Sequence, residues 1–153
     1  MFRYIAFVMI LSVALSCKGQ SDKLSLAGKW NLCLDSTRLP FTIDIKSLKY
    51  DLAISLPSTL DDAGIGNPVN VEPELVRKVM LHLQRKVSYI GPAYYQKEIT
   101  IPANWKGKDI SLKLERVIWE SVVWIDGKKI GNSFSLCTPH YYDLSKSLSP
   151  GKH

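Results

Sequence analysis

Apolar residues recur at every second position through most of this chain, and that period narrows the folds open to it. Trp30, Leu32 and Leu34 alternate with Asn31, Cys33 and Asp35, and Phe41, Ile43 and Ile45 repeat the pattern. Leu52, Ile54 and Leu56 do the same up to Pro57. After Tyr94, the run Tyr95, Lys97, Ile99 and Ile101 alternates with Gln96, Glu98 and Thr100 until Pro102, and Ile110, Leu112 and Leu114 follow suit. Successive side chains of an extended strand point to opposite faces, so each run reads as a strand with one face on a core. Val122-Val123-Trp124-Ile125, Asp126-Gly127 and Lys128-Lys129-Ile130 spell a hairpin, because Asp-Gly supplies the positive φ angles of a tight primed turn. Two stretches depart from the period. Residues 58–71 carry Gly64, Gly66, Asn67 and Pro68 and read as a long irregular loop. Leu75, Val79 and Leu83, with Val76 and Met80, predict a short helix over 72–84, opened by Pro73. Many short strands with one helix and Gly/Pro punctuation predict an all-β chain, an antiparallel sandwich.

The first residues are not expected to join that sandwich. Arg3 precedes an apolar run over 5–14, too short for the roughly 20 residues that cross a bilayer, and the pattern is that of a signal peptide over 1–16. Ala14-Leu15-Ser16-Cys17 resembles a lipoprotein cleavage site, with Cys17 as the lipidated residue and 17–25 as a polar tether. A soluble secreted protein with an incidental Cys17 is the alternative. Lipidation predicts an exported protein, periplasmic or on the outer membrane of a Gram-negative bacterium, touching the membrane through its lipid alone. What remains, 26–153, is enough for one domain and too little for two.

Several function classes fall away. The 20 Lys and Arg against 14 Asp and Glu leave the chain basic, yet the charges are scattered and form no stripe of the kind nucleic acids need. His82, His140 and His153 share no metal-ligand spacing, and neither a nucleotide loop nor a serine-hydrolase elbow is present. No metal and no cofactor is expected. Cys33 and Cys137 fall far apart in a compartment that permits a disulfide, and they read as two buried free thiols, since an isolated Cys in a strand behaves as a small hydrophobe.

A family likeness then enters on particular residues. Residues 91–98 (Gly-Pro-Ala-Tyr-Tyr-Gln-Lys-Glu), Ile101-Pro102, Trp105-Lys106-Gly107-Lys108 and Leu114-Glu115-Arg116 resemble the N-terminal sugar-binding domain of glycoside hydrolase family 2. Val123-Trp124-Ile125-Asp126-Gly127 with Ile130-Gly131 is similar to that domain's hairpin motif, and Thr138-Pro139-His140-Tyr141-Tyr142-Asp143-Leu144 with Pro150-Gly151 continues it. Leu56-Pro57-Ser58-Thr59-Leu60-Asp61 is similar to a loop of the same domain, where Gly more often stands at Ser58.

The resemblance implies a jelly-roll β-sandwich of the galactose-binding-domain kind, beside a (β/α)8 barrel that carries the catalytic carboxylates. Such enzymes resemble β-galactosidases, β-glucuronidases and β-mannosidases, whose retaining chemistry places two carboxyl groups about 5.5 Å apart. The family's acid residue follows an Asn, and no Asn-Glu pair occurs here, so no catalytic residue is assigned. Pro150-Gly151 looks like a turn into one more strand, which predicts that the domain continues past His153 and that the barrel of the same polypeptide is its partner. Carbohydrate is the expected ligand. Trp119, Glu120 and Tyr89 are the candidates for touching it, because an aromatic ring stacks on the apolar face of a pyranose while a carboxylate takes its hydroxyls; His140 joins them from a loop. Ordinary packing competes with that reading, given the area an aromatic side chain buries. A stand-alone carbohydrate-binding or adhesion lipoprotein is the rival function.

Overall fold

The computed structural model describes residues 22–35, 37, 43–69, 77 and 85–153. The signal peptide expected over 1–16, Cys17 and most of the expected tether therefore lie outside the described residues, as does the helix expected over 72–84 apart from Arg77, which is helical.

The chain is all-β, and every strand pairing described is antiparallel. Strands β1 (Gly28–Leu34), β2 (Leu52–Leu56) and β5 (Ala93–Gln96) form one sheet in the order β2-β1-β5. Two short strands from the loop region, β3 (Asn67–Pro68) and β4 (Val87–Ser88), pair with each other. On the other side, β6 (Thr100–Ile101) pairs with β11 (Gly151–Lys152), and β7 (Ser111–Leu114) with β10 (His140–Asp143). Strands β8 (Trp119–Ile125) and β9 (Lys128–Ser135) make the hairpin, and β9 also packs on β10.

The period of two reports the inner faces well. Along β10, His140 and Tyr142 are buried while Tyr141 and Asp143 face out, and on β7 Leu112 and Leu114 are more buried than their neighbours. Ile101, Ile110, Tyr142, Leu144 and Leu148 form the buried cluster, flanked by half-buried residues of β7, β8 and β9. Leu32 and Ile54 are the buried residues of the β1–β2 ladder. Burial of this apolar area is what draws the strands together.

The hairpin turn follows its sequence: Asp126 and Gly127 have φ of 51° and 80°, both positive, as a type I′ turn requires. Ile125 faces Lys128, and a bulge sits between Val123 and Trp124. Gly151 and Lys152 are themselves strand β11, paired with β6, where the sequence suggests only a turn into a later strand.

Three expectations need correction. Ile45 is not in a strand: Ile45–Ser47 is a single 3-10 turn, because the Asp44 carboxylate accepts the Lys46 N–H and offers the backbone a local alternative to a ladder. The strand expected from Tyr94 to Ile101 is two, β5 on β1 and β6 on β11. Its middle changes sheets, with Ile99 and His153 exchanging backbone hydrogen bonds at 3.0 and 2.9 Å. Of the two cysteines expected to be buried, both are free, Cys33 is half-buried and Cys137 is exposed. Cys137 follows β9 in a turn where Ser135 Oγ accepts its N–H, so it is not in a strand at all.

Candidate functional site

The residues singled out for sugar contact separate into two places. Trp119 and Glu120 open β8, and their register partners on β9 are Ser135 and Phe134. Regular alternation would put Trp119 on the same face as Ser121 and Ser135, opposite Glu120 and Phe134. Trp119 breaks that rule with φ of 81°, a left-handed conformation that is a genuine outlier for a bulky side chain. Its ring meets Phe134 edge-on, centroids 5.7 Å apart and planes at 77°. Trp119 therefore joins the outer face, where Glu120 accepts a hydrogen bond from Asn132 Nδ2 at 3.1 Å. Trp119 and Phe134 are each 62% exposed, and Ile118 and Leu136 beside them in sequence are exposed as well. An open aromatic pair with a carboxylate and an amide alongside offers both surfaces a sugar presents, apolar ring face and hydroxyl edge.

His140 is close in space but on the inner face. It is fully buried, with Nδ1 2.6 Å from Ser121 Oγ and Nε2 3.4 Å from the Ser135 carbonyl. The imidazole thus bridges the Ser121 hydroxyl and the Ser135 carbonyl through its two ring nitrogens. Tyr142 completes the group, its hydroxyl donating to the Ser121 carbonyl at 2.8 Å and lying 2.6 Å from Ser121 Oγ. In this arrangement His140 bonds within the chain and presents no atom to solvent.

Tyr89 stands elsewhere. It lines two neighbouring surface clefts of about 370 and 460 Å³, which share Ile65, and its hydroxyl donates to the Pro92 carbonyl at 2.7 Å. Burial, then the charge of Asp35, push the Tyr89 hydroxyl above its usual range, so it remains a neutral donor at physiological pH. The loop over 58–69 that walls these clefts is tied down by Asp61, whose Oδ1 accepts the N–H groups of both Lys86 and Val87 at 2.9 Å. Asp61 was not among the sequence candidates; its place in the Leu-Pro-Ser-Thr-Leu-Asp stretch was the only signal. Among the described residues, no three His, Cys, Asp or Glu side chains converge as metal ligands, and no helix is long and apolar enough to cross a membrane.

Fold and site together define the class: an all-β antiparallel domain with an open aromatic and carboxylate surface at one end of its long hairpin. Solved structures share that architecture. The chain is similar to a Ruminococcus gnavus β-glucuronidase at 23% identity, with a TM-score of 0.61 over 84% of this chain and 19% of that one. It is similar to a Faecalibacterium prausnitzii β-glucuronidase at 23% identity and a TM-score of 0.57, over 84% and 19% of the two chains. An uncultured Clostridium β-glucuronidase matches at 17% identity and a TM-score of 0.54, over 83% and 20%. The chain thus spans about a fifth of the length of these enzymes, and the likeness is one of fold. No family model matches the chain.

Proposed function

We propose that this chain is the non-catalytic sugar-binding domain of an exported glycoside hydrolase of the family 2 type, one that cleaves O-glycosyl bonds of β-glycosides such as galactosides or glucuronides. The observation that carries the reading is the outer-face group, Trp119 turned out beside Phe134 with Glu120 next to it. The fold shared with a fifth of several β-glucuronidases supports it. Here the ring pair stacks on the pyranose, Glu120 accepts from a hydroxyl, and a catalytic barrel in the same polypeptide breaks the bond. Tyr89 contributes a second, more distant contact from its cleft. Cys17 carries the lipid that holds the protein at the envelope, in the periplasm or on the outer membrane.

Two measurements test this. The full-length protein is expected to hydrolyse an aryl β-glycoside, with KM raised about tenfold in Trp119→Ala and kcat little changed, as for lost ground-state binding; the 153-residue chain alone is expected to turn over nothing. Turnover by the chain alone refutes the division of labour, and saturable sugar binding with no hydrolysis by the full-length protein favours the stand-alone binding lipoprotein. Replacing Cys17 by Ala is expected to move the protein from the membrane fraction to the soluble one; an unchanged distribution removes the anchor.

A further inference from the structure

The geometry points to His140 as the positioning residue that turns Trp119 outward. The inference rests on the proposed reading only for its consequence in sugar binding; the positioning itself stands on the fold. Residue 119 belongs by alternation to the inner face, with Ser121 next along β8 and Ser135 across on β9. Those are the two residues His140 holds, Ser121 through its hydroxyl at 2.6 Å and Ser135 through its carbonyl at 3.4 Å. The imidazole, fully buried, thus spans the inner-face place that an inward indole would need. Interiors are close-packed, so one position does not hold both rings. The indole goes out, and the backbone takes φ of 81° to send it there.

The hydrogen bonds explain why the smaller ring wins. His140 satisfies the Ser121 hydroxyl, while Tyr142 donates to the Ser121 carbonyl and lies against the same hydroxyl, so the inner polar group is bonded within the chain. An inward indole would cost Ser121 Oγ its 2.6 Å partner Nδ1, and a hydrogen bond lost from a buried polar group is costly. Trp119 outside loses apolar burial but keeps its edge-on contact with Phe134. The outer-face platform is a product of the inner-face histidine.

The test uses the full-length protein labelled with 5-fluorotryptophan, in which Trp30, Trp105 and Trp124 of this chain, each assigned by its own Trp→Phe variant, serve as internal controls. Trp119→Phe assigns the resonance of Trp119. In His140→Ala, the Trp119 resonance is expected to shift while those of Trp30, Trp105 and Trp124 stay, and KM for an aryl β-glycoside to rise about tenfold with kcat within twofold. His140→Gln, which refills part of the space and keeps a donor and an acceptor, is expected to restore most of both. Should His140→Ala fail to fold, Ser121→Ala removes the ring's stronger tether and is expected to shift the same resonance by a smaller amount. A folded variant, whether His140→Ala or Ser121→Ala, whose Trp119 resonance stays in place overturns the inference. If the resonance moves while KM does not, His140 still positions Trp119 and it is the sugar-contact reading that fails.

Discussion

His153 Nδ1 lies 2.7 Å from Asp126 Oδ2 and its Nε2 lies 2.8 Å from the Ser149 carbonyl, two acceptors that are both satisfied only by the imidazolium. The Asp126 carboxylate, then the Ser149 carbonyl, hold the pKa of His153 above its ordinary 6.5. A folded-state pKa above the unfolded one means that the stabilisation is fully present below about 6.5 and disappears as pH rises through the raised value. The melting temperature of wild type is therefore expected to exceed that of Asp126→Asn by most near pH 6, with the gap closing as pH rises through the raised pKa of His153. Asn tolerates the left-handed φ of 51° at this position, so the backbone is unaffected. A gap independent of pH would show that the pair contributes no charge effect. Neither this pair nor the turned-out Trp119 was legible in the sequence. Trp119 was singled out because aromatic rings stack on sugars, but a period of two places it inward, and a bulky residue is the last to be expected at positive φ. His140 was taken for a loop ligand, whereas it opens β10 and is buried; only the alternation of Tyr142 and Leu144 downstream hinted at that.

The hairpin β8–β9 is the element whose sequence says most, because its turn has few backbone solutions. Gly127 sits at φ of 80°, where a side chain is strained, and a Cβ there would also meet the flexible end of Lys46. Gly127→Ala is expected to cost about 1 kcal/mol, chiefly from the backbone, read as a lower urea midpoint with an unchanged slope. A variant as stable as wild type would mean that the turn relaxes to another type without loss. Elements without such a constraint were harder to place. Ile43 and Ile45 have the spacing of a strand, but Asp44 between them caps a 3-10 turn, and side-chain capping acts within two residues, below the reach of periodicity. The break between β5 and β6 is invisible for a different reason. Tyr95 to Ile101 alternates without interruption, and the change of partner from β1 to β11 depends on strands distant in the chain.

At the scale of the molecule, the buried cluster is unevenly distributed, and that sets where stability resides. Leu144 and Leu148 follow β10, Ile110 precedes β7 and Ile101 ends β6, so the cluster ties two strand pairs, β6–β11 and β7–β10, and the β8–β9 hairpin to one interior. Leu144 also fixes the chain at its backbone, its N–H donating to the Ile110 carbonyl at 2.8 Å. The β2-β1-β5 sheet buries only Leu32 and Ile54 among its apolar residues, and Leu52, which alternation assigns to the same face, is 38% exposed because β2 is an edge strand with no neighbour beyond it among the described residues. Periodicity therefore identified the inner face of β1, β2 and β7 but not of β5, where Tyr95 is exposed and Tyr94 half-buried, and it could not rank the positions on a face, since burial depends on what lies opposite. Removing the Leu144 side chain leaves a cavity bounded by several strands that cannot all close on it, and Leu144→Ala is expected to cost about 2–5 kcal/mol. Leu52→Ala removes the same atoms from an edge that solvent already reaches, and its cost is expected to stay below about 1 kcal/mol. Urea denaturation followed by circular dichroism measures both. Equal losses at the two sites would mean that the edge sheet is as tightly built as the cluster, and that the outer face of β8 is not held in place from the Leu144 side of the sandwich.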